Sequence, residues 1–199
     1  IVRLLILTAQ RRDEVGGMQW SELADGTWTI PGPRTKNHRE HAVPLTDAAL
    51  RLFPTRRRDF VFGDGPRRKD DKRQRGFSGW SKSKAALDSR ILAALQKAAE
   101  EAGEDISEVK PLPHWTVHDL RRTAATLMAD RLGVLPHIVE AILNHISGHR
   151  AGVAGVYNRA SYVGDMQEAL ERWAREVARI VAGRPRSVTL RRVVAGSVG

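Results

Sequence analysis

The chain has 199 residues, 41% of them hydrophobic, which is enough for one domain with a buried core. A formal net charge of +10 predicts a polyanion as partner, with nucleic acid ahead of a membrane surface. The absence of cysteine excludes disulfides and thiolate metal sites and fits a reducing compartment.

The chain opens with Ile1 inside the apolar run 1–7, which predicts a helix that continues to about Met18. This run is too short to span a membrane and lacks the charged start of a signal peptide. We therefore expect a helix cut at its N-terminal side, in a chain that is a fragment of a longer protein.

A small β-hairpin is predicted next. The segment Thr27–Ile30 is typical of a short strand with Trp28 and Ile30 on one face, and His41–Leu45 is typical of its return strand. A Pro-Gly-Pro sequence directly after the first strand ends it.

Beyond the hairpin, a short helix is predicted to begin at Thr46 and end near Pro54, before a third apolar run at 60–62. The stretch Arg67–Lys84 carries eight Lys or Arg against two Asp, which predicts a long surface loop. Helical periodicity returns over Ser89–Ala102 and stops at the following glycine.

Helices dominate the remainder, over 118–131, 136–144 and 163–181. The last helix is predicted to bury a stripe with helical spacing. The stripe consists of Met166, Leu170, Trp173, Val177 and Val181.

The composition changes near residue 183, and residues 184–199 carry four arginines and no acid. This basic tail is compatible with disorder, with a strand through 188–190, or with docking on a neighbouring protomer. The predicted fold class is mixed, mainly α with a small antiparallel β-sheet or hairpin, in one domain over residues 1–183 followed by the tail.

Several residues have side chains suited to cleaving a phosphodiester. Such a reaction needs an in-line nucleophile, positive charge on the non-bridging oxygens, and an acid for the leaving oxygen. The sequence has no HExxH motif and no cysteine pair, so arginine is the expected source of that charge. His118 and Arg121, three residues apart on one predicted helix face, could grip a phosphate together.

Each of these signals is weak when taken alone. A histidine and an arginine three apart are usually solvated, and Arg11 with Glu14 is equally typical of a helix-end ion pair. Lys36 fits a solvated turn, His145 a helix end, and Tyr157 a core position.

In chain order, however, these residues resemble the catalytic domain of the tyrosine recombinases, the phage-integrase family. The resemblance runs from about Ile1 to about Val181 and rests on five boxes in the order of the family. The boxes are Leu7–Val15 around the first arginine, Thr35–Asn37 with Val43–Leu45 as the lysine hairpin, Thr116–Thr123 as the HxxR box, Leu143–His145 as the LGH box, and Val156-Tyr157.

Two details depart from the family pattern, and two residue assignments require a choice between nearby candidates. Asn144 stands where the LGH box has glycine, and the gap from His145 to Tyr157 is longer than usual. His149 lies in that gap and is an alternative for the histidine role, although the preceding leucine favours His145. Arg12 adjoins Arg11, and the spacing to the following glutamate favours Arg11.

The resemblance implies a role for each residue. Tyr157 would attack the phosphate and form a 3′-phosphotyrosyl bond, without metal or ATP. Arg11 and Arg121 would hold the non-bridging oxygens together with His145, Lys36 would protonate the leaving 5′-oxygen, and His118 would assist proton transfer at the tyrosine. We also expect Glu14 and Asp119 to position these basic groups.

The resemblance further implies double-stranded DNA as partner, self-association on DNA as a tetramer, and a part for the tail in that contact. No membrane partner is expected. We expect the N-terminal DNA-binding domains of the family to lie outside this chain. The resemblance also implies a DNA-associated protein in the cytoplasm of a bacterial cell. The basic residues expected along the DNA backbone are Arg34, Arg67, Arg68, Lys69, Lys82 and Lys84.

Two other functions stay open at this point. A type IB topoisomerase uses similar chemistry, but the small size and the short hairpin favour a recombinase. A DNA-binding module that has lost catalysis is the other alternative. The presence of all six catalytic candidates argues against such a module.

Overall fold

The computed structural model describes residues 1–63, 75–145 and 162–183, and this part of the chain is mainly helical with one small sheet. The helices are α1 Val2–Thr8, α2 Arg12–Gly16, α3 Asp47–Leu50, α4 Trp80–Ala102, α5 Val117–Leu132, α6 Pro136–Ile142 and α7 Tyr162–Val181. The strands are β1 Leu23–Ala24, β2 Thr27–Ile30 and β3 His41–Pro44. The expected class, mainly α with a small antiparallel sheet, is confirmed.

The sheet is antiparallel throughout, in the order β1-β2-β3. Trp28 pairs with Val43 in the β2–β3 register, and the side chains of Trp28 and Ile30 are fully buried, as the alternation predicts. Strand β1, which we did not predict, is joined to β2 through Asp25 and Gly26, both with positive φ. This Asp-Gly pair suits a tight two-residue hairpin.

The opening helix is broken, and the prediction of one helix to Met18 is wrong. Helix α1 ends at Thr8, Ala9 takes the left-handed conformation with φ 54°, and α2 begins only at Arg12. The break turns the backbone so that Arg11 caps α2 in an extended conformation. The carbonyl of Ala9 is thereby released from the helix.

Two groups of buried side chains meet at α1. One group lies between α1 and the sheet and includes Leu4 and Trp28, whereas the other lies between α5, α6 and α7 and includes Met128 and Trp173. The indole Nε1 of Trp173 donates to the carbonyl of Ile6 at 2.7 Å, which fixes α7 against α1. The sheet and the C-terminal helices are therefore held around one helix.

The predicted stripe of α7 is confirmed over its first three members, Met166, Leu170 and Trp173, each at most 4% exposed. Val181 at its end is 81% exposed, so the stripe does not extend to the last turn. Helix α5 likewise begins and ends within a residue of its prediction. None of the helices in the described ranges is long and apolar enough to cross a membrane.

The expected surface loop Arg67–Lys84 is shorter than predicted, because α4 already begins at Trp80. Trp80 is buried and packs edge-to-face on Phe77, with ring centroids 4.7 Å apart. The Phe77 amide donates to the Gly16 carbonyl at 2.7 Å, so two aromatic rings inside the basic stretch anchor the start of the helix. Residues 64–74 lie outside the described residues.

Candidate active site

Arg121 is the centre of the candidate site. It lies on the first turns of α5 and is only 5% exposed. One Nη donates to the Ala9 carbonyl at 2.6 Å, and the other donates to the Leu143 carbonyl and to Nε2 of His145, the latter at 3.2 Å. One guanidinium thus joins the α1–α2 break, the end of α6 and a histidine.

The charge of Arg121 has no carboxylate within ion-pair distance in the described part of the chain. Burial, together with the nearby positive charge of Arg11, lowers the pKa of Arg121 to about 10, and the charges of Glu14 and Glu140 oppose this shift. The group therefore stays protonated at neutral pH. The peptide dipoles that bind it carry no full negative charge, so the guanidinium has no direct anionic partner, although Glu14 and Glu140 attract it from a greater distance.

His145 follows α6 and completes the contact with Arg121. Its Nδ1 lies 3.5 Å from the Glu140 carboxylate, and its side chain is 44% exposed. Burial lowers the pKa of His145, the charge of Arg121 lowers it further, and Glu140 opposes both. At pH 7 the ring is neutral, with its proton on Nδ1 so that Nε2 accepts from Arg121.

Arg11 is held by Glu14 at the start of α2. The Arg11 guanidinium lies 2.9 Å from one Glu14 oxygen, and the Arg11 backbone amide donates to the other at 3.0 Å. Glu14 is only 3% exposed, whereas the Arg11 side chain is 23% exposed. The carboxylate therefore lies beneath the arginine and leaves part of the guanidinium open to solvent.

His118 lies one turn before Arg121 on the same helix and is exposed. Partial burial lowers its pKa, and Arg121, Arg122 and Arg11 lower it further by their positive charge. Since the charge of Arg11 also lowers the pKa of His145, these four basic groups share one electrostatic environment. The structure brings together four of the predicted site residues, Arg11, His118, Arg121 and His145.

Asp119 contributes in a different way from Glu14. Its carboxylate accepts from the Thr116 amide and hydroxyl, both at 2.7 Å, and so caps α5. It also pairs with Arg122 at 3.2 Å. Asp119 therefore stabilises the helix start that carries His118, and its hydrogen bonds in the described residues go to Thr116 and Arg122.

Lys36 lies exposed in the hairpin tip, which we define as residues 31–40 between β2 and β3. The neighbouring Asn37 donates from Nδ2 to Oδ1 of Asn144 at 2.8 Å and to the Asn144 carbonyl at 3.3 Å. The hairpin tip is thereby docked on the end of α6, one residue from His145.

Asn144 explains the departure from the LGH pattern. Its φ is 49°, in the left-handed region that glycine adopts without strain and that asparagine tolerates better than most residues. The backbone conformation of the glycine position is therefore kept. The positive φ follows from the family motif, but the side-chain bond to Asn37 has no signal in the sequence.

Two further residues of the site were missed by sequence reasoning. Gln10 Nε2 donates to the Ile142 carbonyl at 2.8 Å, and His41 Nε2 lies 3.1 Å from the same oxygen. Both side chains are buried. They hold the end of α6 against the first helix and the sheet. Gln10 lies inside the first-arginine box, but the box gives it no role, and His41 precedes the Val43–Leu45 part of the hairpin box.

Some predicted residues lie outside the described ranges. These are Tyr157, the alternative histidine His149, the loop residues Arg67, Arg68 and Lys69, and the tail 184–199. Their expected roles stay predictions.

Arg34 does not have the open position expected of a DNA-backbone contact. Its guanidinium pairs with the buried carboxylate of Glu22 and donates to the Glu14 carbonyl at 2.7 Å. Because its charge is neutralised inside the protein, the contacts favour a structural role.

Lys84 is similar to Arg34. Its ammonium lies 2.5 Å from the Asp88 carboxylate and 4.0 Å from the centre of the Trp115 ring, and its side chain is 18% exposed. Lys82, two residues earlier on α4, is exposed. Of the two helical lysines, Lys82 is thus the better candidate for a phosphate contact.

Comparison with known proteins agrees with the resemblance. The model of the phage integrase family matches residues 1–162, and the chain therefore belongs to that family. The prophage integrase IntZ of Escherichia coli K12 is 29% identical over 185 residues, which is 92% of this chain and 40% of IntZ. The prophage integrase IntA of the same organism is 28% identical over 176 residues, covering 85% of this chain and 36% of IntA.

The chain thus spans about two fifths of the length of these curated relatives. Among solved structures, the crystal structure of the XerH site-specific recombinase bound to difH substrate, a pre-cleavage complex, matches with a TM-score of 0.42 and 17% identity. That match covers 73% of this chain and 39% of XerH.

Proposed function

We propose that the chain is the catalytic domain of a site-specific recombinase that breaks and rejoins double-stranded DNA through a 3′-phosphotyrosyl intermediate. The observation that carries this proposal is the contact of Arg121 with His145 in the electrostatic environment of Arg11. Three segments far apart in the sequence converge to form a basic site without a carboxylate on its central arginine.

The two arginines supply the positive charge that the reaction needs. Arg11 and Arg121 bind the non-bridging oxygens of the scissile phosphate, where charge develops in the transition state. Glu14 and the Ala9 and Leu143 carbonyls fix the two guanidiniums in advance, so little reorganisation is needed when the phosphate arrives. The proposal requires neither a metal ion nor ATP.

The remaining groups handle protons and the leaving oxygen. The phenol oxygen of Tyr157 attacks phosphorus while the bond to the 5′-oxygen breaks, and Lys36 gives its proton to that oxygen. His118 receives the phenol proton. His145, which gains a proton on Nε2 when the phosphate is bound, donates a hydrogen bond from Nε2 to the phosphate in place of accepting from Arg121. In the reverse reaction a 5′-hydroxyl attacks the phosphotyrosine and releases Tyr157, which exchanges strands if that hydroxyl comes from a second duplex.

The wider surface fits a DNA partner. The net charge of +10 and the exposed Lys82 at the start of α4 support contacts along the phosphate backbone, to which we add the loop residues 67–69. The matched relatives are prophage integrases, so we assign the chain to a bacterial prophage or related mobile element acting in the cytoplasm. Assembly as a tetramer on DNA, with the basic tail between protomers, completes the proposal.

Covalent capture of DNA tests the proposal. A pool of nicked duplexes with a randomised segment is incubated with the chain at high protein and low salt, because weak backbone binding is strengthened there. Loss of the short fragment beyond the nick prevents religation, so a phosphotyrosyl adduct accumulates and is seen on a denaturing gel.

The matched control uses the two tyrosines of the chain. We expect an adduct from the native chain and from Tyr162→Phe, and none from Tyr157→Phe. DNA binding without any adduct from the native chain would instead indicate a non-catalytic binding module. Relaxation of a supercoiled plasmid without strand exchange would indicate a topoisomerase.

A further inference from the structure

The contact between Asn37 and Asn144 joins two parts of the site that lie 107 positions apart. Each of the two side-chain amides donates a hydrogen bond to the other. Nδ2 of Asn37 lies 2.8 Å from Oδ1 of Asn144, and Nδ2 of Asn144 lies 3.3 Å from Oδ1 of Asn37. Asn144 is 7% exposed, so water competes poorly for these bonds.

The left-handed backbone conformation of Asn144 has a cost in conformational free energy that a glycine at this position would avoid. Glycine adopts φ 49° freely, whereas an L side chain there is strained. The bonds to Asn37 offset that strain. An asparagine at this position therefore provides the turn and adds a tie to the hairpin tip.

We propose that Asn144 is a positioning residue that, through Asn37, docks the hairpin tip and holds Lys36 beside the phosphate bound by Arg121 and His145. This inference rests on the proposed function. Lys36 adjoins Asn37 and His145 adjoins Asn144, so the amide pair fixes the separation of two backbone points, each one residue from a catalytic group.

The hairpin tip can transmit this docking because it is internally braced. The Thr35 hydroxyl donates to the Arg39 carbonyl at 2.8 Å and accepts from the Arg39 amide at 3.1 Å. Thr35 itself is 3% exposed. These bonds brace the tip internally. Within the described residues, the hydrogen bonds from the tip to the end of α6 come from the amide pair, and His41 at the start of β3 bonds beside them.

Docking of the hairpin tip affects one step of the proposed reaction, the proton transfer from Lys36 to the leaving oxygen. As the bond from phosphorus to the 5′-oxygen breaks, the electron pair goes to that oxygen and Lys36 supplies its proton. A displaced hairpin tip would slow this transfer and leave phosphate binding by the arginines unchanged. A sulfur in place of the 5′-oxygen leaves as a thiolate, whose conjugate acid has a pKa of about 8.5, and needs no proton.

Hydrogen exchange on the DNA-free chain tests the docking by itself. Asn144→Gly keeps the backbone conformation and removes the amide, leaving only the longer bond from Asn37 to the carbonyl of residue 144. We expect amides of the hairpin tip to exchange roughly tenfold faster, about the effect of one lost hydrogen bond, and those of β2 to stay unchanged. Unchanged exchange in the tip would overturn the proposal.

Cleavage of two substrates then tests the positioning of Lys36. On nicked DNA with the normal 5′-oxygen, Asn144→Gly should form adduct roughly tenfold more slowly, and Asn37→Ala should do the same. On the 5′-sulfur substrate both variants should match the native rate, as should Lys36→Ala, whereas Arg121→Gln should stay slow on both.

The two kinds of failure can be told apart. No adduct from the native chain on either substrate would refute the proposed function. The hydrogen-exchange result would still show whether Asn144 docks the hairpin tip. Faster exchange with normal cleavage, or slow cleavage that sulfur does not rescue, would overturn the positioning role. The double variant should be no slower than the slower single one, because both remove the same contact.

Discussion

Two arginines of this chain are each held by several bonds to the protein, but their surroundings differ in one respect. Arg34, beside the sheet, pairs with the buried carboxylate of Glu22. Arg121, between α1 and α6, is bound by the carbonyls of Ala9 and Leu143 and by a neutral histidine. Both guanidiniums are fixed in place, but only the first has its charge neutralised.

The difference separates a structural cation from one that can receive a ligand. An ion pair with a buried carboxylate weakens the attraction of an arginine for an external anion, and both Nη atoms of Arg34 are bonded, to Glu22 and to the Glu14 carbonyl. Arg11 also pairs with Glu14, but within the described residues it does so through one Nη, and the rest of its guanidinium can meet a phosphate. A guanidinium held by peptide dipoles keeps its net charge and also keeps a fixed geometry, which suits a phosphate. Burial of an arginine alone therefore does not indicate its role.

The largest expected effect follows from removing the unpaired charge. Arg121→Gln should lower the rate of adduct formation by about 10²–10³-fold, the usual cost of losing a group that stabilises transition-state charge. Arg121→Lys should recover little, because an ammonium cannot bond two carbonyls and a phosphate in the same plane. Single-turnover cleavage measures both, and a near-native rate for Arg121→Gln would contradict the assignment.

The paired arginine should behave in the opposite way. Arg34→Gln leaves the Glu22 carboxylate buried without its cation, so we expect a loss of about 2 kcal/mol in the free energy of unfolding. Cleavage by the folded fraction should stay near native. Urea unfolding measures the loss of stability, and adding Glu22→Gln should restore part of it. A cleavage defect larger than that of Arg121→Gln would contradict the structural role of Arg34.

The same contrast appears in two lysines on α4, with a smaller effect. Lys82→Ala should reduce the slope of log affinity against log salt by about 0.9, the value for one phosphate contact. Lys84→Ala should leave the slope unchanged, because Asp88 already neutralises that lysine. Fluorescence anisotropy with duplex DNA over a range of salt concentrations measures the slope, and equal changes from both variants would refute the distinction.

The smallest expected effect is a dependence on pH. The pKa values of His118 and His145 are lowered by burial and by the arginines, so the unfolded chain binds more protons than the folded chain below about pH 6.5. The DNA-free protein should therefore lose stability as the pH falls from 6.5 toward the lowered values, and should be insensitive above 6.5. A bound phosphate favours the charged histidines, so DNA affinity should rise over the same range.

Urea midpoints and anisotropy at pH 7.5, 6.5 and 5.5 measure the two trends. The variant His118→Asn with His145→Asn should weaken both. If stability and affinity changed in the same direction with pH, the histidines would not share an environment with the arginines.

Patterns with a local cause were predicted well from the sequence. The alternation that buries Trp28 and Ile30, and the stop of α4 at Gly103 with its φ of 73°, each depend on a few neighbouring residues. The break at Ala9 was not predicted, because alanine is the best helix former and nothing nearby favours a break. Its carbonyl is bound by Arg121, 112 positions away, and such contacts have no signature in a single sequence.

The candidate site divides in the same way. Family motifs pointed to Arg11, His118, Arg121 and His145, and the structure brings them together. The motifs did not show that Arg34 is neutralised, since its partner Glu22 precedes it by 12 positions in an unrelated turn. Charge counting identifies basic residues, but only the surroundings show which charges are free.

The hydrogen bonds at the end of helix α6 restrict which combinations of amino acids this chain can accept. Its last carbonyls receive side chains from four separate segments, those of Gln10, Asn37, His41 and Arg121. A small shift of this helix end would alter every one of these bonds at once, so a substitution at one position changes the effect of a substitution at another. Natural relatives should therefore show these positions covarying as a group, with epistasis linking residues that share no motif.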